Sequence, residues 1–141
     1  MEVRLLHPKD AEIACQIAEN YKSKTVTPEY MSRFLSDKRN YLIVGLEGSL
    51  VVGFLLGCKM ARLETDRPMM YIQDLATHPD YRRQGIGRAM VEEFKAICRE
   101  KNALKMWLVT DRSNEPAKAL YTAAGGALGD NDWVGFWWNE F

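Results

Sequence analysis

The segment Asp74 to Phe94, DLATHPDYRRQGIGRAMVEEF, limits the possible folds more than any other part of this chain. An apolar strand end leads into three arginines, two glycines one residue apart and an amphipathic helix. Glycines before a helix leave backbone N–H groups unobstructed, and the positive end of the helix dipole favours a negative charge there. The segment therefore predicts a strand, an anion-binding loop and a helix in direct succession.

This sequence excludes two common phosphate-binding loops. The dinucleotide fingerprint requires a third glycine, and Met90 stands at that position. The Walker loop requires Gly-Lys-Ser or Gly-Lys-Thr, which the letters GIGRAM do not contain. What remains is the pattern Arg82-x-x-Gly85-x-Gly87 between a long strand and a helix.

Composition limits the class of protein. The chain has 141 residues, of which 47% are hydrophobic, and this predicts one domain with its own core over residues 1–141. Its formal net charge of +0 gives no overall attraction to nucleic acid or to an anionic membrane. No run approaches the ~18 apolar residues of a membrane span. We therefore expect neither a nucleic-acid nor a membrane partner.

The cysteines and histidines predict neither disulfides nor a metal site. Cys15, Cys58 and Cys98 are far apart and odd in number. His7 and His78 add no metal-ligand cluster. The opening residues, MEVRLLHPKD, lack the apolar core of a signal peptide. These features predict a reduced, cytoplasmic protein without a bound metal.

Hydrophobic periodicity predicts a mixture of helices and strands. A short strand, EVRLL, precedes two helices around AEIACQIAENY and PEYMSRFLS, with Thr27 and Pro28 at the start of the second. Two strands joined at EGS and a third, MMYIQDLAT, come next. They are followed by the helix IGRAMVEEFKAICREK, the strand ALKMWLVT and the helix NEPAKALYTAAGG. The last residues, ALGDNDWVGFWWNEF, predict a hairpin that turns at residues 129–132.

Two motifs in this order resemble the GCN5-related N-acetyltransferase superfamily. The first is Arg82-x-x-Gly85-x-Gly87. The second is NEPAKALYTAAG, which places these residues at the superfamily's spacings: Asn114, Ala117, Leu120, Tyr121 and Gly125. The resemblance implies an α/β (α+β) fold with a mixed, mostly antiparallel central sheet and helices on both faces. Gly126 departs from the pattern, which usually has phenylalanine there, and this leaves the local packing open.

The resemblance also implies acetyl-coenzyme A as the cofactor. Backbone amides of residues 83–88 would bind its pyrophosphate. Its pantetheine arm would add to the edge of a strand that, in this superfamily, splays from its neighbour. The implied cofactor-binding residues are Leu75, Ala76, Thr77, Arg82, Arg83, Gln84, Gly85, Ile86, Gly87, Arg88, Asn114, Ala117 and Tyr121.

Tyr121 and Asp74 are the expected catalytic residues. Tyr121 matches the superfamily tyrosine beside the sulfur, where a phenol can protonate the leaving thiolate; the alternative is a core tyrosine. Asp74 is a carboxylate inside an apolar strand, a costly position unless it is paired. A β-bulge, which the superfamily has near here, would turn Tyr71 and Asp74 toward the same cleft. We expect Asp74 to contact the acceptor amine as base or anchor, the alternative being a bond to a neighbouring backbone amide.

Within the superfamily the chain is most similar to the type I aminoglycoside 3-N-acetyltransferases, through Tyr-x-x-Asp-Leu-Ala, Arg-Arg-Gln-Gly-Ile and Ala-Leu-Tyr-Thr. That resemblance implies acetylation of the 3-amino group of an aminoglycoside antibiotic by direct transfer in a ternary complex, and hence antibiotic resistance. A polycationic small molecule requires carboxylates at its site. The candidate substrate-binding residues are Asp74, Tyr71, Glu64, Asp66, Asp130 and Asp132.

Several alternatives stay open. The acceptor is either an aminoglycoside or another amine, such as a polyamine, an amino acid or a protein N-terminus. A coenzyme A-binding sensor without turnover is a further alternative, against which the presence of both Tyr121 and Asp74 argues. Trp133, Trp137 and Trp138 either line the acceptor cleft or pack in a homodimer, because exposed aromatics at a chain end usually bury against something.

Overall fold

Five strands and four helices make up the fold in the computed structural model, which describes residues 1–130 and 132–141. The strands are β1 (Glu2–Leu5), β2 (Asn40–Glu47), β3 (Leu50–Met60), β4 (Met69–Thr77) and β5 (Lys105–Trp107). The helices are α1 (Ala11–Lys22), α2 (Pro28–Ser36), α3 (Ile86–Glu100) and α4 (Glu115–Ala123). Short 3₁₀ turns at Pro8–Asp10 and Pro79–Tyr81 precede α1 and the glycine loop. The predicted succession of elements is confirmed as far as α4.

The strands form one sheet in the order β1-β2-β3-β4-β5. Neighbouring strands are antiparallel except β4 and β5, which run parallel. The connection between these two strands is therefore a crossover, and it contains the glycine loop and α3. The sheet is mixed and mostly antiparallel, as predicted.

Helices cover both faces of the sheet, and each face has its own apolar core. The core under α1 and α2 contains Ile17, Met31, Leu42, Val44 and Phe54. The core under α3 contains Ile43, Leu55, Met70, Met90 and Phe94. A side chain at Gly57 of β3 would overlap the Phe94 ring, so this glycine lets α3 lie close to the sheet. None of the described helices is long and apolar enough to cross a membrane.

An ion pair fixes the start of α1 against β1. The Asp10 carboxylate, only 9% exposed, accepts hydrogen bonds from Nη1 and Nη2 of Arg4 at 3.0 and 3.1 Å. It also accepts one from the backbone N–H of His7 at 2.8 Å. The Arg4 hydrogen bonds hold the pKa of Asp10 below its ordinary value. This pair fixes the direction of α1, whose last residue is Lys22.

Strand β4 contains the predicted β-bulge, at Gln73. Leu56 of β3 pairs with Asp74, whereas the next residue of β3, Gly57, pairs with Ile72. Gln73 is therefore the extra residue, and the alternation of side chains along β4 shifts by one position there. The bulge decides which face of the sheet the following side chains reach.

Glycines end α4, as predicted. Gly125 has a φ of +94°, in the left-handed region. The N–H of Gly126 donates a hydrogen bond to the carbonyl oxygen of Tyr121 at 2.8 Å, and a Cβ at Gly126 would lie 3.0 Å from that oxygen. Glycine, in place of the superfamily's usual phenylalanine, therefore leaves room for a tight chain reversal after α4.

The predicted terminal hairpin is wrong for the part of the chain that the structure describes. The described residues after Gly126 form no strand, and the predicted turn at 129–132 includes residue 131, which lies outside the described residues. Trp133, Trp137 and Trp138 are 70%, 82% and 70% exposed. Apolar side chains stabilise a strand when neighbouring strands and a covering layer pack against them. The described part of this chain supplies neither for the segment 133–141.

Candidate active site

The glycine loop leads into a helix N-terminus that has no side-chain cap. Arg83 and Gly85 have positive φ angles of 61° and 81°. Gly85 is the N-cap residue of α3, and the first turn of this helix contains no acidic residue. The first N–H groups of a helix have no partner within the helix. This end of α3 can therefore bind an anion through its backbone and its dipole.

Three exposed arginines, Arg82, Arg83 and Arg88, lie at this helix end. None of them forms an ion pair with the carboxylates of residues 1–130 and 132–141. The Gln84 side chain donates a hydrogen bond to the backbone oxygen of Asp80 at 3.4 Å, which ties the loop to the preceding 3₁₀ turn. The arginines add positive charge to the amides of this helix end, and the combination suits a pyrophosphate.

Gly87 has a packing role as well. A Cβ at this position would lie 3.1 Å from Cδ2 of Leu120 on α4, which is closer than an ordinary carbon–carbon contact. The first turn of α3 thus packs directly on the helix that contains Tyr121. The second glycine of the motif sets the distance between the two helices, independently of any bound anion.

Strand β4 separates from β5 beside this loop, as predicted. The pairing of the two strands ends at Tyr71 and Trp107, whereas β4 continues to Thr77. The later part of β4, including Leu75, Ala76 and Thr77, therefore has an edge without a strand neighbour among the described residues. Backbone groups on such an edge can pair with an extended ligand. Their contact with a cofactor stays a prediction.

The bulge turns Asp74 and Tyr71 toward the same face of the sheet. Asp74 pairs with Leu56, and Tyr71 pairs with Cys58. Leu56 and Cys58 are two residues apart on β3 and therefore share a face. Leu56 packs into the core under α1 and α2, so both candidate side chains point to the α1 side. The shared orientation predicted for them is confirmed.

The Asp74 carboxylate forms an ion pair with Lys22 at the end of α1. The Asp74 side chain is 28% exposed and the Lys22 side chain is 54% exposed. The partner of Asp74 is therefore an ammonium group, not the backbone amide of the alternative interpretation. Sequence reasoning missed Lys22, because a lysine in the last turn of a helix is ordinarily explained by the helix dipole and by solvent.

Tyr121 lies on α4, half-buried against the core under α3. Burial raises the pKa of its phenol, and the negative charge of Asp74 raises this pKa further. The phenol is therefore protonated and uncharged at neutral pH, and the carboxylate charge of Asp74 helps to keep it so. Its hydroxyl has no hydrogen-bond partner among the described residues. Core packing and proton donation are thus compatible roles for this side chain.

A cavity of about 570 Å³ lies beside Tyr121. It is bounded by α4, by the end of β5 with the residues that follow it, and by the chain after α4, and its lining includes Met106, Leu108, Lys118, Tyr121, Leu128 and Trp133. Its volume is within the range of small-molecule sites, and most of these side chains are apolar. The catalytic candidate Tyr121 thus borders a space of suitable size for a ligand.

Asn114 and Ala117 contact each other. The Asn114 side-chain oxygen accepts a hydrogen bond from the backbone N–H of Ala117 at 3.2 Å, and this caps α4. Their three-residue spacing is thus explained by the start of the helix. Their predicted contact with a cofactor stays a prediction.

The other predicted substrate-binding carboxylates share no hydrogen bond or ion pair with Asp74 among the described residues. Glu64 forms an ion pair with Arg62 at 2.8 Å, and the hydrogen bond within this pair lowers the pKa of Glu64. The remaining three are exposed: Asp66, Asp130 and Asp132.

The ring of Tyr71, the other predicted substrate-binding residue, packs against Trp107 with centroids 4.5 Å apart. Among residues 1–130 and 132–141, no three His, Cys, Asp or Glu side chains group closely enough to hold a metal ion.

Comparison with known families gives a match over most of the chain. A model described as the acetyltransferase (GNAT) family matches residues 11–125. A curated relative, the ribosomal protein bS18-alanine N-acetyltransferase of Escherichia coli (strain K12), is 38% identical over 52 residues. These residues are 37% of this chain and 35% of that protein, so the match spans about a third of the relative's length.

Solved structures of two aminoglycoside acetyltransferases from uncultured soil metagenomic samples superpose on nearly the whole chain. The first, meta-AAC0020 in complex with trehalose, gives a TM-score of 0.90 at 20% identity and covers 99% of this chain and 96% of that one. Its complex with sisomicin gives a TM-score of 0.85. The second, HMB0005, gives 0.84 at 26% identity, with 99% and 97% covered.

We expect Gly85→Val to weaken coenzyme A binding by about tenfold or more, because a branched side chain strains the left-handed backbone whose neighbouring amides are to bind the pyrophosphate. Isothermal titration calorimetry with coenzyme A measures this. The matched control is Gly48→Val in the β2–β3 turn, since Gly48 also has a positive φ and no neighbouring atom within 4 Å. Both variants should lose similar stability, and only Gly85→Val should lose affinity. An unchanged affinity would contradict an anion site at this loop.

Proposed function

The chain belongs to the GNAT acetyltransferase family, and from this we propose that it transfers an acetyl group from acetyl-coenzyme A to the 3-amino group of an aminoglycoside within a ternary complex. The observation that carries the proposal is the Asp74 carboxylate, which is already paired with an ammonium group and whose charge raises the pKa of the Tyr121 phenol. Acylation of an amine requires a group that accepts a proton from the ammonium and a group that donates one to the leaving thiolate.

The described residues fit acetyl-coenzyme A. The uncapped N-terminus of α3 and its three arginines suit a pyrophosphate. The open edge of β4 at Leu75, Ala76 and Thr77 suits an extended arm with amide groups. Bound there, the cofactor would supply an activated acetyl thioester.

Asp74 would bind the acceptor and accept its proton. An aliphatic amine is mostly protonated at neutral pH and therefore lacks the electron pair needed for attack. A carboxylate oxygen of Asp74 would accept a hydrogen bond from this ammonium and then, directly or through a water molecule, its proton. The ion pair with Lys22 supports this role, since it joins the same carboxylate to a primary ammonium group.

Tyr121 would donate the proton that a departing sulfur needs. Its raised pKa keeps the phenol protonated at neutral pH, so the proton is available at Oη. Its ring packs against the core under α3, which limits the positions of the hydroxyl. Gly87 and Leu120 support the same placement, because their contact fixes α4 against the loop.

The aminoglycoside acceptor is supported by the likeness to HMB0005 over nearly the whole chain. Aminoglycosides are polycations, and Asp74 is assisted in this proposal by the exposed carboxylates of Glu64, Asp66, Asp130 and Asp132. Acetylation removes one positive charge from such a drug, so the protein would act as a resistance enzyme in the cytoplasm. Its substrate would be a small molecule.

A second candidate acceptor is the N-terminal amine of a protein. It is favoured by the 38% identity with the bS18-alanine N-acetyltransferase, over 52 residues. Thiol release from acetyl-coenzyme A separates the two candidates when gentamicin, spermidine and a short peptide with a free N-terminal alanine are supplied in turn. Release with gentamicin alone supports the aminoglycoside, and release with the peptide alone supports the second candidate.

We also propose that two copies associate through the C-terminal aromatic segment, residues 133–141. Its large exposed rings are those of Trp133, Phe136, Trp137, Trp138 and Phe141. At ~150–250 Å² per ring they expose on the order of 600–1,000 Å² in each chain. Two copies would therefore cover roughly 1,200–2,000 Å², which is the size of a stable interface. A second copy is the partner with matching chemistry, because every copy carries both this segment and the apolar cavity beside β5.

We expect Tyr121→Phe to lower acetyl transfer by about 10²-fold with little change in acceptor affinity, because the ring still packs while the acidic proton is lost. Thiol release measures turnover, and calorimetry measures acceptor binding. The matched control is Tyr41→Phe, a buried tyrosine of the same core beside Phe94. A Tyr121→Phe rate within twofold of the parent would leave Tyr121 as a packing residue.

We expect Asp74→Asn to abolish most acceptor turnover and to leave acetyl-coenzyme A affinity nearly unchanged, because the cofactor would use the backbone of β4. Gentamicin affinity of the parent should fall as salt rises, since exposed charges are screened over about 10 Å at 0.1 M. The control is Asp37→Asn, which removes a carboxylate paired with Arg39 in the connection between α2 and β2. Normal turnover in Asp74→Asn would refute the proposed role of this carboxylate.

We expect the parent chain to sediment as a dimer in analytical ultracentrifugation and the double variant Trp137→Ser, Trp138→Ser to sediment as a monomer. The control is Leu63→Ser, which removes a fully exposed apolar side chain from the β3–β4 loop. A parent that is monomeric at every concentration would contradict the association. Quenched tryptophan fluorescence in such a monomer would indicate that the segment folds back on its own chain.

A further inference from the structure

We infer that Lys22 occupies, in the free protein, the position that the acceptor amine takes at Asp74, so that an acceptor binds by displacing it. This inference rests on the proposed acetyl transfer. The Lys22 ammonium contacts a carboxylate oxygen of Asp74. A lysine ammonium has the charge and the three N–H donors of a protonated primary amine on an acceptor. The two groups therefore compete for the same carboxylate.

The fold itself holds Lys22 close to Asp74, because Lys22 is the last residue of α1. The helix ends at Lys22, because Ser23 has a left-handed φ of 55° and its N–H donates to the carbonyl oxygen of Glu19 at 3.2 Å. The end of α1 is thus fixed close to Asp74 on the face of the sheet that this helix covers. The ammonium group is attached to a fixed backbone through a flexible four-carbon stem.

The ion pair is held weakly enough for an acceptor to break it. The Lys22 side chain is 54% exposed, and exposed ion pairs are screened by water and by salt. Among the contacts of the described residues, Asp74 is the one carboxylate with which Lys22 pairs. Once displaced, the lysine can move into solvent, because its stem has several rotatable bonds.

Displacement of Lys22 from Asp74 makes binding depend on how many positive charges the acceptor carries. The displaced ammonium is in solvent but is tethered to the end of α1, so it stays within the reach of its stem from Asp74 and repels every further positive charge on a bound acceptor. The repulsion by Lys22 therefore lowers the affinity for a polyamine more than the affinity for a monoamine. The acetylated nitrogen is an uncharged amide and can no longer pair with Asp74, so the return of Lys22 favours product release.

The decisive test compares Lys22→Met, which keeps the length of the stem and removes the charge, with Lys22→Arg, which keeps the charge. We expect Lys22→Met to bind gentamicin about tenfold more tightly than the parent, the size expected when one competing ion pair and one repulsion are removed together. The KM should fall in parallel, with a much smaller change in kcat. Lys22→Arg should stay near the parent. The matched control is Lys24→Met, because Lys24 is exposed two residues further along and has no ion pair among the described residues.

Calorimetry with gentamicin, spermidine, methylamine and an alanine-initiated peptide distinguishes failure of this inference from failure of the proposed function. A gain in Lys22→Met that is larger for spermidine than for methylamine supports the inference, even if gentamicin is not acetylated and the proposed acceptor fails. For methylamine, which has no further positive charge for Lys22 to repel, the gain should disappear when the double variant Lys22→Met, Asp74→Asn is compared with Asp74→Asn, because the shared carboxylate is absent from both. Equal or weaker binding of all four amines by Lys22→Met would overturn the inference, as would an equal gain in Lys24→Met.

Discussion

Strand β4 has to keep its apolar side chains in the core under α3 and also to turn a carboxylate toward α1, and the bulge at Gln73 reconciles these two demands. Ile72 and Leu75 are three residues apart, yet both pack on the α3 side because the bulge lies between them. Without the extra residue, regular alternation would direct Asp74 into that apolar core, far from Lys22. The position of the candidate active site on this sheet depends on one residue of register.

Most of the fold could be predicted because its signals are local. Thr27 and Pro28 mark the start of α2, Thr27 through its side-chain cap and Pro28 through its fixed φ. Glycines mark the glycine loop and the end of α4 through left-handed backbone that few other residues adopt. The anion-binding loop belongs to the same class, since the sequence itself places the glycines beside the helix start. The bulge was expected from the resemblance to a known superfamily, since alternation alone would have placed Asp74 on the wrong face.

The features that the sequence could not predict depend on contacts between distant parts of the chain. Lys22 and Asp74 are 52 positions apart, and nothing in the residues around either one indicates the other. The hairpin prediction for the C-terminal segment was wrong for a related reason. Its apolar residues indicate that they will be buried, but they do not indicate which residues will pack against them. Asn114 illustrates a different difficulty: the motif predicts that it binds a ligand, but the structure shows that it caps its own helix.

Gly87 of the glycine loop packs against Leu120 of α4, so the two sequence motifs are in direct contact and would move together. A larger residue in the loop would push on α4, and Tyr121 follows Leu120 directly on that helix. A change of size in the part of the chain that would hold the cofactor would therefore also move the part that would donate the proton. A designer who moves this loop onto another scaffold would have to move the facing surface of α4 with it, because the glycine spacing alone does not carry the geometry.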